Sequence, residues 1–300
     1  AKEVAAALGL PLLGAAVTKF DNENIFVQLQ ESVRAKDVFV IQPTCSPVND
    51  NIMELLIMID TLRRDSAGRI TAVVPYYAYG RSDKKDKPRV PITARLVADL
   101  ITVAGADRFL TVDLHAGQIQ GFFTIPTDEI NAFYLFCDYF EQKQISELTI
   151  VAPDIGAVKR ARNFAQSLKV PLAIVEKRRI RNGEEIEALN VIGDVRGRNV
   201  IMVDDEIDTG GTMWNDCQAL AEAGARDIYA CATHAVLSKD AAERLQASPI
   251  KEIVVTNTVM IPPQKRVPKL TVISIGPLLA EVIRRIHEGI SVGALYDRWK

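Results

Sequence analysis

The segment Val203–Thr212 reads VDDEIDTGGT. Four carboxylates (Asp204, Asp205, Glu206 and Asp208) fall within five residues, and Gly210-Gly211 follow between Thr209 and Thr212. Glycines let the backbone approach a ligand closely, and the N-terminus of a following helix supplies free N–H groups with partial positive charge. That end suits a phosphate. The carboxylates cannot bind phosphate directly, but they accept hydrogen bonds from sugar hydroxyls or hold Mg²⁺ through water. A ligand with a vicinal diol at one end and a phosphate at the other meets both demands, and ribose 5-phosphate is such a ligand. The competing reading is an acidic solvent loop whose Asp208 or Thr209 caps the helix.

Position separates these readings. Asn199–Val203 is an apolar strand, and Met213, Cys217 and Leu220 have helical spacing after it. The acids therefore stand at the carboxyl end of a buried strand, where open α/β sheets bind ligands. The chain lacks both GxxxxGK[ST] and GxGxxG, so any nucleotide must be held another way. A second candidate is His115, two residues after Asp113 at the end of another apolar run. A histidine there is either a satisfied core residue or a metal or phosphate contact.

Short apolar runs alternate with helical patterns, which predicts an α/β fold. Strands are expected at 38–42, 70–75, 109–113, 148–152, 171–175, 199–203 and 228–233. Helices are expected at 51–64, 92–103, 155–168, 212–223 and 278–288, the first capped by Asp50 or Asn51. An internal echo goes further. AGADRFLTVDLHA at Ala104–Ala116 parallels AGARDIYACATHA at Ala223–Ala235, with the histidine 11 residues after the first alanine in both. Each copy also has a strand ending near proline and a basic loop, Arg81–Lys87 in one and Lys177–Arg181 in the other. The match points to two copies of one α/β unit, the competing reading being coincidence of a common helix-to-strand turn. The expected division is 1–133 and 134–288, with 289–300 returning to the first half; His234, the repeat partner of His115, reads as structural, and His287 as a surface residue.

Composition bounds the rest. The 300 residues exceed one comfortable core. A formal net charge of -2 gives no global attraction to nucleic acid or membranes. The four cysteines (Cys45, Cys137, Cys217, Cys231) lack CxxC spacing and sit in apolar segments, as reduced buried thiols of a cytoplasmic protein do. No run approaches the ~18 apolar residues of a membrane span. The opening AKEVAAALGLPLLGAAV carries Glu3 and breaks at Gly9 and Pro11, so it reads as an amphipathic helix rather than a leader. The chain starts without methionine, so a few residues are expected to precede it.

VDDEIDTGGT closely resembles the phosphoribosyl pyrophosphate signature shared by type I phosphoribosyltransferases and ribose-phosphate pyrophosphokinases. PVNDNIMELLIMID, RSDKKDK, VDLHAGQIQGFF, PDIGAVKRAR and KRR resemble pyrophosphokinase motifs in order over nearly the whole chain. The resemblance implies two phosphoribosyltransferase-like domains, each a mainly parallel sheet flanked by helices, the second carrying the sugar-phosphate loop. It implies a reaction in which the anomeric hydroxyl of ribose 5-phosphate attacks the β-phosphorus of MgATP and AMP leaves. Asp208, Thr209, Gly210, Gly211 and Thr212 would cradle the 5-phosphate, and Asp204 and Asp205 would face the ribose hydroxyls. Lys177 and Arg179 match the mobile catalytic loop, Arg179 also meeting ribose 5-phosphate. His115 would contact the metal–nucleotide, and Asp154 and Asp113 complete the Mg²⁺ set. ATP would meet Arg81, Ser82 (where the family commonly carries glutamine), Asp86 and the stretch Asp21-Asn22-Glu23, whose Asn22 stands for a glycine. Asn tolerates the left-handed backbone that glycine would adopt. Arg89 and Ser291 match regulatory phosphate contacts, while Gly293 replaces a second serine. The family implies a homo-oligomer, hexamer included; ELLIMI at 54–59 and LYDRW at 295–299 offer apolar surface for it. The alternatives are a silent relative that restrains an active enzyme and a phosphoribosyltransferase; the catalytic-loop and acidic-loop residues all stand, and the N-terminal motifs leave the transferase little room.

Overall fold

The computed structural model describes residues 1–181 and 185–295, with side chains outside 177–189. It divides into two compact units, one of residues 1–131 with the described residues from Ser274 onward, the other of 132–273.

The first unit opens with helix α1 (Lys2–Leu8) and the antiparallel hairpin β1 (Ala15–Lys19) and β2 (Ile25–Leu29). β3 (Asp37–Ile41), α2 (Val48–Arg64), β4 (Arg69–Val74), α3 (Thr93–Ala104), β5 (Arg108–Val112) and β6 (Thr127–Ile130) follow. The last four strands form a parallel sheet in the order β3-β4-β5-β6. Its core includes Leu55, Ile59 and Leu62 of α2, Val97 and Ile101 of α3, and Phe109 of β5. α2 starts at Val48, three residues before the expected start at 51. Pro47 sits at its N-cap, and Asn51, inside the helix, donates to the Cys45 carbonyl at 2.8 Å. Leu55 and Ile59 of the ELLIMI run are in the core, so that run gives little free apolar surface. Residues 296–299 of LYDRW lie outside the described residues.

The second unit comprises α4 (Phe133–Lys143), β7 (Leu148–Ala152), α5 (Val158–Leu168), β8 (Leu172–Arg181), β9 (Glu185–Ile192), β10 (Asn199–Ile207), α6 (Gly211–Glu222), β11 (Ile228–Ala235), α7 (Ala241–Ala247), β12 (Ile250–Thr256) and β13 (Leu270–Ile273). Its sheet runs β13-β12-β11-β10-β7-β8-β9 and is parallel except for β9. β7, β10 and β11 read as near-continuous apolar runs because both faces of the sheet are covered. The order reverses between β7 and β10: the chain leaves β7 to one side for β8 and β9, then crosses to build the other side. The expected basic loop at 177–181 is instead backbone of β8, which pairs with β9.

Helix α8 (Gly276–Glu288) belongs to the first unit, so the chain returns there at Ser274 rather than at 289. The reason is local packing on α1. A Cβ at Gly276 would lie 2.9 Å from Glu3 Cβ, and Ser274 Oγ hydrogen-bonds the Glu3 carboxylate. His287, exposed as expected, places Nδ1 2.7 Å from Asp37, which Arg69 also grips. The sequence echo corresponds to α3–β5 and α6–β11, each helix followed by a left-handed glycine, Gly105 at φ 118° and Gly224 at φ 88°.

Phe109 stacks on Phe123 at 4.0 Å between ring centres and meets Tyr77 edge-on at 5.5 Å. Phe109→Ala should cost about 3–5 kcal/mol, through lost burial and the cavity left behind. Urea unfolding checks this as a lower midpoint, and an unchanged midpoint contradicts it.

Candidate active site

The two acids do not sit in a loop. β10 continues past Val203 to Ile207, pairing with β11 as Asp204↔Ala232, Glu206↔His234 and Ile207↔Ala235. Strand alternation then divides the acids: Asp204 and Glu206 are half-buried on one side, Asp205 and Ile207 buried on the other. All of them lie at the carboxyl edge of the sheet beside β7. This is the topological switch point, where the connections diverge and leave a crevice.

Arg160 of α5 faces this pair. Its Nη1 donates to Asp205 Oδ1 at 3.1 Å and lies 3.8 Å from Asp204 Oδ1. The Asp205 N–H donates to Asp204 Oδ1 at 2.9 Å. The Asp205 side chain is 7% exposed and that of Asp204 25%, so Asp204 is the more open of the two. Burial, and then the neighbouring Asp205 carboxylate, push Asp204 well above the usual carboxylate range, while Arg160 opposes the shift. Sequence reasoning missed Arg160. The available signal was its place on α5: Arg160 is one turn before buried Phe164, so a charge stands on the apolar face and must find an opposite one.

Beyond Ile207 the chain bends through Asp208 and Thr209 into α6. Gly210 holds the N-cap position at φ 70°, a left-handed conformation that any side chain would strain. No side chain caps α6, so neither Asp208 nor Thr209 plays the capping role weighed above. The first-turn N–H groups of a helix have no partner within the helix. The turn is held from behind by Leu237 N–H on the Ile207 carbonyl and Ser238 N–H on the Asp208 carbonyl, both 2.9 Å. Arg244 of α7 adds positive charge there: a Cβ at Gly211 would lie 3.4 Å from its Nη1. Asp240 pairs with the same guanidinium at 3.1 Å. Thr209 and Thr212 are exposed.

Asp154 lies at the carboxyl end of β7, the strand beside β10. It is exposed, and its Oδ1 accepts the Ala157 N–H at 2.8 Å, bracing the turn into α5. The side chains of Lys177 and Arg179 lie outside the described residues. His234 is buried, its Nδ1 2.9 Å from Thr258 Oγ1, which fits a structural role.

In the first unit, the repeat copy ends differently. β5 stops at Val112, and Asp113, buried, turns left-handed at φ 40°. Such backbone in a non-glycine residue is uncommon and collects at functional turns. His115 follows as an exposed side chain, so the satisfied-core reading does not hold for it. A Cβ at Gly80 would lie 3.5 Å from His115 Cβ, which brings the turn carrying Arg81 beside the histidine. Arg81 is exposed; Ser82 Oγ accepts the Thr93 N–H at 3.2 Å and so braces the start of α3. Asp86 and Arg89 are exposed, as is Ser291, whose carbonyl accepts from Arg285 at 2.9 Å. Asp21, Asn22 and Glu23 form the exposed tip of the β1–β2 hairpin. The left-handed residue there is Glu23 at φ 67°, not Asn22. Asn22 instead accepts the Asn24 N–H on Oδ1 at 3.2 Å, an Asx turn that hands the reversal to the next residue.

Because the folded pKa of Asp204 is raised, its contribution to stability is full below about pH 4, near the unfolded value, and is lost as pH rises through the folded value. Asp204→Asn should therefore raise the apparent Tm at pH 7–8, with the gain disappearing near pH 4. Parallel Tm–pH curves for the two proteins would contradict this.

Residues 1–105 match the model of the N-terminal domain of ribose phosphate pyrophosphokinase, and residues 179–297 match the phosphoribosyl synthetase-associated domain. Among curated relatives, the ribose-phosphate pyrophosphokinase of Caldanaerobacter subterraneus is 53% identical over 99% of this chain and 94% of its own length. That of Campylobacter jejuni is 51% identical over 99% of this chain and 95% of its own. The crystal structure of phosphoribosylpyrophosphate synthetase from Mycobacterium smegmatis superposes with a TM-score of 0.92 at 46% identity, covering 96% of this chain and 95% of that one. With likeness of this depth along nearly its whole length, the chain belongs to the ribose-phosphate pyrophosphokinase family.

Proposed function

We propose that this protein transfers the β,γ-pyrophosphoryl group of MgATP to the C1 hydroxyl of ribose 5-phosphate, giving phosphoribosyl pyrophosphate and AMP. The observation that carries the reading is the strand–turn–helix at 204–212. It sets a pair of acids at a sheet's carboxyl edge directly before an uncapped helix N-terminus. Asp204 and Asp205 would accept hydrogen bonds from the sugar diol. Asp208 to Thr212 would hold the 5-phosphate through backbone N–H groups and hydroxyls, with Gly210 allowing close approach. The sugar is then fixed at both ends, so its anomeric hydroxyl is presented in one orientation. That oxygen bonds to the β-phosphorus, its proton is released, and the bond to the α–β bridging oxygen breaks to free AMP.

Phosphoryl transfer of this kind needs positioning and charge neutralisation more than covalent participation by the protein. Lys177 and Arg179 are proposed for the migrating oxygens, where an arginine fork can bind two at once. Arg81, with Ser82 and Asp86, and the Asp21–Glu23 tip are proposed for ATP, together with His115. Mg²⁺ suits the available donors. Asp154 and His115 are exposed, and no group of three metal-ligating side chains is found among the described residues. A metal that keeps its waters and is carried mainly by substrate phosphates needs only sparse anchors, and Asp154, His115 and Asp113 are each proposed separately as one. When bound, it would neutralise the β- and γ-phosphate charge.

Arg89 and Ser291 are proposed as regulatory phosphate contacts, and a homo-oligomer, up to a hexamer, as the assembly. A cytoplasmic location accords with the four cysteines, all buried thiols, with burial raising the Cys137, Cys217 and Cys231 groups. Among the described residues, no helix is long and apolar enough to cross a membrane.

Incubation with MgATP and ribose 5-phosphate should yield AMP and phosphoribosyl pyrophosphate in equal amounts. Absence of AMP would leave the silent relative, and nucleobase-dependent pyrophosphate release would point to a transferase. Lys177→Ala should lower kcat on the order of a hundredfold or more while sparing ATP binding, since its contact belongs to the transition state. Lost nucleotide affinity with turnover intact would refute that role.

A further inference from the structure

Resting on the function proposed above, we infer that Arg160 is a positioning residue for the sugar: it clamps Asp205 and, through it, holds Asp204 toward the diol. Two carboxylates adjacent along one strand repel each other, and at a buried strand end water screens that repulsion poorly. The structure sets one guanidinium against both, at 3.1 Å from Asp205 and 3.8 Å from Asp204. The Asp205 N–H, at 2.9 Å, fixes the Asp204 carboxylate from the backbone side. With Asp205 turned to Arg160 and nearly covered, Asp204 is the more open of the two acids toward a ligand.

Arg160 has the means to hold this geometry. It rises from the first turn of α5, whose buried Ala161, Phe164 and Ala165 seat the helix in the second unit. Asp154 accepts the Ala157 N–H at the start of the same helix, which ties the turn from β7 to the helix bearing Arg160. Both contacts run through Nη1, which a rigid planar guanidinium holds in place, whereas a lysine ammonium is a point charge on a flexible stem. Without the guanidinium, Asp204 and Asp205 would relieve their repulsion by swinging apart or by taking up a proton. Either change removes an acceptor from the sugar.

The role predicts a split between kinetic constants. Arg160→Gln should raise KM for ribose 5-phosphate on the order of tenfold, the loss of a charge-assisted contact, while KM for MgATP stays within about twofold. Arg160→Lys should fall between Gln and wild type. Wild-type protein that forms no AMP would sink the proposed function itself. An active wild type with an indifferent Arg160→Gln variant would sink only the role of Arg160. A uniform loss, with kcat and both KM values worsening alongside a collapsed urea midpoint, would mark Arg160 as merely structural. Should the Gln variant not fold, the Lys variant decides: a raised KM for ribose 5-phosphate alone supports the role, and wild-type constants overturn it.

Discussion

Holding two like charges side by side where water is scarce is the constraint around which the second unit is arranged. Asp204 and Asp205 are neighbours on a buried strand, and desolvation and the adjacent Asp205 carboxylate both disfavour the charged form of Asp204. Three features of the fold oppose that cost. Pairing of β10 with β11 as far as Ile207 stops the segment from relaxing into a loop. The Asp205 N–H supplies a local donor, and α5 delivers a guanidinium from the neighbouring connection. Strain of this kind is expected where binding, rather than stability, sets the sequence.

The placement of those features follows from topology. A parallel sheet whose order reverses between β7 and β10 leaves the carboxyl ends of those strands uncovered by their own connections. The turn after β7 carries Asp154 and leads into the helix bearing Arg160; the end of β10 carries the acids and leads into the uncapped α6. Polar side chains from two connections thus meet at one edge without interrupting the apolar strands beneath. The repeat shows the same frame put to two uses. In the first unit β5 stops early and exposes His115 beyond a left-handed Asp113, whereas β11 runs on and buries His234 against Thr258.

Much of this was legible in the residues. Every strand and helix expected from apolar periodicity is present, with ends displaced by up to six residues, the most at β8. Elements such as β1, β2, β6, α7 and β13 went unread because they are short or only partly buried, with little apolar periodicity to betray them. The end of β10 was misplaced because Asp-Asp-Glu looks like a loop in isolation; partner strand β11 overrides that preference. At the hairpin tip the left-handed position moved from Asn22 to Glu23, since an Asx turn changes which residue completes the reversal.

What the sequence by itself determined is chemical: acids and glycines in one short segment, apolar strands before them, a duplicated unit and the family to which the motifs belong. Residue types and their spacing along the chain carry that information directly. What only the tertiary structure decided is which of the acids is open, which cation faces them, and to which unit the last helix returns. Those depend on strand register and on contacts between residues far apart in the chain, as Arg160 with Asp205 and Glu3 with Ser274 illustrate.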